Sequence, residues 1–213
     1  MDTFHELRNT KLGPALVKAL EARHFEAYYF ADLPPAAEKV FSLIPQEHVV
    51  SWGGSMTAGA MDLYAEAAKR GYKLINRDAA KSPEEKVELM RQGLLCDTYL
   101  MGTNALSEDG QLVNVDGNGN RVAALCYGPR QVIIVTGINK AAKTLDDAIA
   151  RARNWAAPLN VQRFAANKTP CNISGTCGDC KSAESICAQV VITRLCKPAG
   201  RIKVIIIGQD LGF

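Results

Sequence analysis

Apolar residues along the chain follow helical spacing in some segments and strand spacing in others, in an alternating order. Leu12, Leu16 and Leu20 predict a first helix over residues 5–24. Further helices are predicted over 34–44, 55–70, after the capping residue Ser82, and over 144–155. The predicted strands are 25–30, 48–52, 72–75, 98–101, 131–136 and 201–207. Strands that alternate with helices predict an α/β fold, a mostly parallel sheet flanked by helices, in one domain over residues 1–213.

Turn sequences interrupt this pattern in the middle of the chain. Asp109-Gly110 and the run 116–120 (DGNGN) flank the alternating segment Gln111–Val115, and residues 121–127 follow. Two tight turns around an alternating segment predict a small region of antiparallel hairpins. A Cys-rich excursion at about 167–197, with a predicted helix around Val190–Leu195, precedes the last strand.

Composition and charge narrow the class of protein. Hydrophobic residues make up 47% and charged residues 22%, which is typical of a soluble globular protein. The net charge is only +3 and no Lys/Arg block occurs, so nucleic acid is not an expected partner. The apolar runs are too short to span a bilayer, and the first eleven residues lack an apolar signal core. We therefore expect a cytoplasmic protein without a membrane partner.

A first candidate site lies at the predicted strand-to-helix turn Trp52–Thr57. Gly53 and Gly54 let the backbone pass close to a ligand, and Ser55 and Thr57 place hydroxyl groups at a helix start that favours an anion. The alternative is a tight turn with Ser55 as a helix cap. The glycine spacing matches neither the dinucleotide fingerprint nor the Walker loop, so no nucleotide cofactor is expected.

A second candidate site is the loop region that follows the strand 98–101, where α/β proteins place ligands at the carboxyl edge of the sheet. Glu108, Asp109 and Asp116 are candidates for a nucleophile or general base, and Arg121 for pairing with an anionic substrate. Ordinary hairpin turns with solvated carboxylates are the alternative. The remaining candidate ligand-binding residues of this edge are Asn104, Asn118, Asn120 and Lys140.

Five of the seven cysteines lie in the last quarter of the chain. Cys177 and Cys180 form a Cys-x-x-Cys pair, which presents two thiolates to one metal ion, and Cys171 and Cys187 complete a four-sulfur set. Zinc and an iron–sulfur cluster both satisfy that set. A redox dithiol and simple buried thiols remain alternatives. Cys196 is either a further ligand or a core residue, and the isolated Cys96 and Cys126 are expected to be small buried hydrophobic residues.

The turn 53–57, the regions 108–110 and 116–121, the segment Gly137–Lys140 and the closing 208–213 (GQDLGF) together resemble the LUD domain, the lactate-utilisation family. The segment 170–187 resembles the Cys-rich end of one branch. The resemblance implies a Rossmann-like fold similar to ribose-5-phosphate isomerase, glucosamine-phosphate isomerase and CoA transferases, whose Gly-rich turns meet a phosphate. The turn Ser107–Gly110 is similar to the Ser-Glu-Asn-Gly turn that carries the transferase nucleophile, with Asp109 in place of Asn. The longer glycine loops of the transferases are absent here.

This resemblance leads to two hypotheses, and a third is a non-catalytic ligand-sensing or scaffold module. The first is a LUD-type accessory or electron-transfer component of organic-acid oxidation, which binds a small phosphate- or carboxylate-bearing ligand. It carries an iron–sulfur or zinc centre and works with iron–sulfur or redox partner proteins. The alternative is an autonomous isomerase or acyl/CoA transferase with structural zinc. Whether the protein is an enzyme stays open, and a homo-oligomer is a further expectation.

Overall fold

The computed structural model describes residues 3–213, and a six-stranded parallel sheet forms its centre. The strands are β1 Glu26–Phe30, β2 Val49–Trp52, β3 Lys73–Ile75, β4 Thr98–Met101, β5 Ala105–Ser107, β6 Leu112–Asp116, β7 Gln131–Gly137, β8 Ala141–Ala142, β9 Gln189–Thr193 and β10 Ile202–Ile207. The central sheet has the order β1-β10-β7-β4-β2-β3, and every neighbouring pair is parallel. The predicted α/β class and the six predicted strands are confirmed.

Helices cover both faces of this sheet. They are α1 Thr3–Glu21, α2 Leu33–Ser42, α3 Met56–Ala60, α4 Leu63–Lys69, α5 Pro83–Gln92, α6 Asn120–Cys126, α7 Leu145–Arg151, α8 Ala157–Val161 and α9 Pro170–Ser174. A π-helical turn, Ala152–Ala156, joins α7 to α8. None of the helices described in residues 3–213 combines the length and apolar character needed to cross a membrane.

Successive side chains of the central strand β7 point to opposite faces of the sheet, so the hydrophobic core around this sheet has two parts. Ile134 of β7 packs in a cluster with Leu16 and Leu20 of α1. Its neighbour Ile133 points to the other face and packs with Val40 of α2 and Leu63 of α4. Both faces of β7 are therefore buried, which explains why its sequence is a continuous apolar run rather than an alternating one.

The predicted helix 55–70 is wrong in one respect, because the chain forms two helices there. Helix α3 ends at Ala60, and Asp62 adopts a left-handed conformation with φ +51° before α4 begins. Asp is one of the few residues that tolerate this conformation. The break lets Ala58 of α3 and Leu63 of α4 both be fully buried.

The predicted antiparallel region is confirmed at its first turn and wrong at its second. Strands β5 and β6 form a hairpin around Asp109-Gly110 in a four-stranded mixed sheet of order β8-β5-β6-β9. Residues 120–126 form helix α6 instead of a strand. The Asp116 carboxylate accepts hydrogen bonds from the backbone N–H groups of Gly119 and Val122, at 3.2 Å each, so the second turn begins a helix.

The second antiparallel neighbour of β6 comes from the Cys-rich excursion. The predicted helix around Val190–Leu195 is wrong, because the β-branched run of β9 pairs with β6 along its whole length. Cys196 follows this strand and is a core residue, 1% exposed. Cys96 is buried as predicted, but Cys126 is exposed, at the end of α6.

Candidate functional site

A cleft of about 510 Å³ lies at the carboxyl edge of the central sheet. The loops that follow β2, β3, β4 and β7 form its floor, because parallel strands end at one common edge. The turn after β6 and residues 160–167 and 183–186 form its walls. The predicted site residues in its lining are Gly54, Ser55, Asn104, Asp116, Asn118, Asn120, Arg121 and Lys140.

The Gly53-Gly54 turn is packed tightly against two arginines. A Cβ atom at Gly53 would lie 2.8 Å from the side-chain carbons of Arg121, and one at Gly54 would lie 3.0 Å from the guanidinium of Arg77. A glycine is therefore required at 53 for the close approach of Arg121, and the glycine at 54 leaves room for the guanidinium of Arg77.

The two hydroxyl groups of this turn have internal partners. The Ser55 hydroxyl accepts a hydrogen bond from the backbone N–H of Ala58 at 3.2 Å and so caps the five-residue helix α3. Thr57 is fully buried, and its hydroxyl donates to the carbonyl of Leu211 at 3.2 Å. The Thr57 hydroxyl donor is therefore used inside the protein, whereas the Ser55 side chain caps a helix and also lines the cleft.

Arg121 holds the cleft together. Its guanidinium donates to the Gly102 carbonyl at 3.0 Å, the Asn114 side chain at 2.7 Å, the Asn104 side chain at 2.9 Å and the Val115 carbonyl at 2.6 Å. Its Nε lies 3.7 Å from the carboxylate of Asp116. Four of its five N–H donors are thus used by the protein, and burial lowers the pKa of this arginine. Arg121 supplies positive charge to the cleft and few free donors.

Lys140 reaches the cleft from the segment after β7 and is 5% exposed. Its ammonium donates to the Thr57 hydroxyl and to the Thr103 carbonyl, at 3.2 Å each. Burial, and then the positive charges of Arg151 and Arg121, lower the pKa of Lys140 to about 7. A buried lysine with cationic neighbours is therefore partly neutral near pH 7.

Two polar N–H groups of the lining have no hydrogen-bond partner in the described part of the chain. These are Nε of Arg77 and the side-chain amide nitrogen of Asn120, both buried. The Arg77 Nε lies 3.6 Å from the Asp78 carboxylate, which is too long for a hydrogen bond. Unsatisfied buried donors beside a cleft indicate a place for a ligand acceptor.

Several lining residues are not predicted from the sequence, namely Arg77, Asp78, Lys86, Asn160, Arg163 and Ser185. Arg77 and Asp78 follow β3, so the rule that selects the loops after β2 and β4 applies to them as well. No local signal marks the others, which reach the cleft through the packing of distant parts of the chain.

Glu108 and Asp109 are not brought to the cleft. They occupy the turn of the β5–β6 hairpin, whereas Asn104 and Asp116 lie at its open end. The Asp109 carboxylate accepts from Arg23 at 2.6 Å, and Glu108 pairs with Lys143 at 2.6 Å. The length of the hairpin separates these carboxylates from the cationic residues of the cleft.

The four predicted metal-ligating cysteines share one region but do not form a ready ligand set. Among residues 3–213, no three Cys, His, Asp or Glu side chains are arranged to hold a metal ion. All four thiols are free, and burial together with the nearby Cys171, Cys177 and Cys180 raises the pKa of Cys187 to about 11. The donor chemistry suits zinc or an iron–sulfur cluster, while the side chains as placed do not converge on one point.

The Cys-rich excursion is attached to the cleft. Arg153 of the π-helical turn forms an ion pair with Asp179, between Cys177 and Cys180. Residues 183–186, between Cys180 and Cys187, then form one wall of the cleft. The two candidate sites of this protein are therefore neighbours in the structure.

Solved structures are similar to this chain at low sequence identity. A DUF162 family protein from Deinococcus radiodurans is 12% identical, with 93% of this chain and 98% of that chain covered and a TM-score of 0.52. Ribose 5 phosphate isomerase A from Neisseria gonorrhoeae is 17% identical over 52% of each chain, with a TM-score of 0.33. 5-methylthioribose 1-phosphate isomerase from Pyrococcus horikoshii OT3 is 14% identical over 83% of this chain and 54% of that one, with a TM-score of 0.37. The comparison with curated proteins gives no match.

The sequence profile of the LUD domain matches residues 14–207, which is nearly the whole chain. This match includes the loops that form the floor of the cleft and the Cys-rich excursion. The chain belongs to the LUD domain family.

Proposed function

We propose that this protein binds a small organic or phosphorylated anion in the cleft at the carboxyl edge of its sheet. The observation that carries the proposal is the pair of buried N–H donors without a partner, on Arg77 and Asn120, beside the ammonium of Lys140. An anionic oxygen supplies the acceptor that these donors lack. A volume of about 510 Å³ suits a small ligand.

The charge balance of the lining supports an anion over a cation. Five cationic side chains line the cleft against three side-chain carboxylates, and each of these carboxylates has a protein partner. Trp52 donates to Asp78 at 2.8 Å, two backbone N–H groups donate to Asp116, and the backbone N–H of Lys168 donates to Glu184. The cationic residues are Arg77, Lys86, Arg121, Lys140 and Arg163.

A thermal-shift series with lactate, pyruvate, phosphate, ribose 5-phosphate and CoA tests the anion site. A ligand present at 100 times its Kd stabilises the fold by about 2.7 kcal/mol. We expect one class of anion to raise Tm, and Arg77→Gln to weaken that ligand about tenfold through loss of a charged hydrogen bond. Lys11→Gln removes an exposed charge of α1 outside the cleft and serves as the control. If no anion raises Tm, the proposal is wrong.

We also propose that Cys171, Cys177, Cys180 and Cys187 bind a metal centre, zinc or an iron–sulfur cluster, once the thiols move together. Membership of the lactate-utilisation family favours a role in organic-acid oxidation, as an accessory or electron-transfer component. An autonomous isomerase or acyl/CoA transferase with structural zinc is the alternative proposal.

Metal content of protein purified without oxygen distinguishes these proposals. A brown protein that absorbs at about 400 nm indicates the cluster, and a colourless protein with one equivalent of zinc indicates the alternative. We expect Cys177→Ser to lower the metal content and Cys126→Ser, an exposed cysteine outside the set, to leave it unchanged. Equal metal content in both variants, or none in the wild type, contradicts the metal centre.

A further inference from the structure

Lys140 differs from the other cations of the cleft in its surroundings. It is 5% exposed, and its Nζ contacts only two neutral acceptors, the Thr57 hydroxyl and the Thr103 carbonyl. An ammonium group has three N–H donors, so one of them has no acceptor in the described part of the chain. The charged groups that act on Lys140 are the arginines Arg151 and Arg121, and no carboxylate in residues 3–213 forms an ion pair with it.

The two arginines cannot move away to relieve this cationic environment. Arg121 is fixed by its four hydrogen bonds to loop oxygens. Arg151 donates to the backbone oxygens of Asn139 at 3.1 Å and Asn104 at 2.7 Å. The protein therefore keeps an amine desolvated next to fixed positive charges, an environment that favours its neutral, nucleophilic form.

From this placement we propose that Lys140 is a nucleophilic residue that forms an imine with the carbonyl group of a small anionic ligand. The inference rests on the proposed anion site and names its substrate class, an anionic aldehyde or ketone. The neutral Nζ adds to the carbonyl carbon to give a carbinolamine. Loss of one water molecule then forms the C=N bond, without any oxidant or reductant. Arg77 and Asn120 hold the anionic group of the same ligand through their free donors.

Both 2-oxo acids and sugar phosphates carry an anionic group and a carbonyl group. Pyruvate and ribose 5-phosphate represent the two sources in the test. Lactate has the carboxylate of pyruvate but no carbonyl, so it reports anion binding alone. This comparison separates failure of the imine from failure of the anion site.

The experiment is reductive trapping of the full-length protein with borohydride in the presence of each carbonyl compound, followed by peptide mapping. We expect one adduct on Lys140, formed with at least one of the two compounds and diminished by excess lactate or phosphate. The adduct should be lost in Lys140→Arg and retained in Lys143→Arg, which alters a lysine that is 78% exposed. Mapping of the wild-type protein locates the adduct even if the Lys140 variant does not fold.

Two results overturn the imine. In the first, adducts spread over surface lysines at equal yield and are insensitive to lactate. In the second, no adduct forms although lactate or phosphate stabilises the protein. The anion site then stands, and Lys140 has only a structural role through its hydrogen bonds to Thr57 and Thr103. If no anion stabilises the protein and no adduct forms, both the imine and the anion site are wrong.

Discussion

Arg121 joins two separate segments, residues 102–104 and 114–115, through hydrogen bonds to four oxygen atoms. Each bond involves a charged donor in a buried position, which makes it stronger than a neutral one. Lys140 makes two hydrogen bonds to neutral groups, and the Nε of Arg77 has no acceptor in the described part of the chain. Most donors of Arg121 are therefore used to hold the loops of the cleft, while Lys140 and Arg77 have a donor that can bind a ligand.

Replacement of Arg121 tests its structural role. Arg121→Met leaves Asp116 without its ion-pair partner and four loop oxygens without their donor, so we expect the free energy of unfolding to fall by about 3–5 kcal/mol. Arg121→Lys keeps the charge but not the planar set of donors, and we expect a loss of about 2 kcal/mol. Urea denaturation measures both. Arg130→Lys, at a side chain that is 81% exposed, is the control with a loss below about 1 kcal/mol. If the Arg121→Lys variant is as stable as the wild type, this role is contradicted.

Lys140 makes stability depend on pH with a defined sign. Its pKa is about 7 in the folded protein against an ordinary value of 10.5, so between these values the unfolded chain binds more protons. Stability therefore rises with pH from about 7 upward, and the full penalty for the buried charge is present below pH 7. We compare the free energy of unfolding of Lys140→Met with that of the wild type. We expect the value for the variant minus that for the wild type to be largest near pH 6 and to fall from about pH 7 to 9. A difference that does not change with pH contradicts the low pKa of Lys140.

Part of the cleft follows from a rule that needs only the sequence. The loops after β2, β4 and β7 are expected at one edge because parallel strands end together, and Gly54, Asn104 and Lys140 lie there. Arg163 is not predictable, because it reaches the cleft through packing between distant parts of the chain. The role of Arg121 is also hidden, since sequence shows which residues can donate but not which donors are already used.

Helix α7 shows how one element positions a group at the site. Thr144 and Asp147 form a capping box at its start, with hydrogen bonds of 3.1 Å in both directions. At its other end Arg151 contacts the segment around Lys140 through the Asn139 carbonyl. Helix α7 therefore runs from a capped start to the side chain that contacts the segment around Lys140.

Removal of this cap tests its contribution. Thr144→Ala deletes the oxygen that accepts from the Asp147 backbone, so we expect a loss of about 1 kcal/mol in the free energy of unfolding. Thr144→Ser keeps that oxygen and is the matched control, with stability close to that of the wild type. Thermal and urea denaturation measure the effect. Equal stability of the Ala and Ser variants contradicts a role for the capping box.

At the level of elements, strands buried on both faces are easier to predict than segments with two alternatives. The apolar run of β7 fits a strand at the centre of a sheet, where all seven of its residues are buried. Residues 120–126 follow a turn that suits a hairpin, and only the two hydrogen bonds to the Asp116 carboxylate make it a helix start. The prediction of a helix at β9 fails because its partner β6 lies more than seventy residues earlier in the chain.

The whole molecule places three units around one cleft: the carboxyl edge of the central sheet, the open end of the β5–β6 hairpin and the Cys-rich excursion. Residues 183–186 belong to the excursion and to the wall of the cleft at the same time. The segment between Cys180 and Cys187 is therefore shared by the Cys-rich excursion and the cleft.

An NMR titration of the full chain with lactate or phosphate tests the central claim most directly, because it shows where an anion binds. We expect saturable shifts of backbone amide signals at the cleft, in the loops around Gly54, Arg77, Thr103, Asn120 and Lys140, with smaller shifts in 183–186. Signals of α1 and α2, which do not line the cleft, should remain in place. Shifts that are absent at saturating anion, or that appear only away from these loops, contradict an anion site at the edge of the sheet.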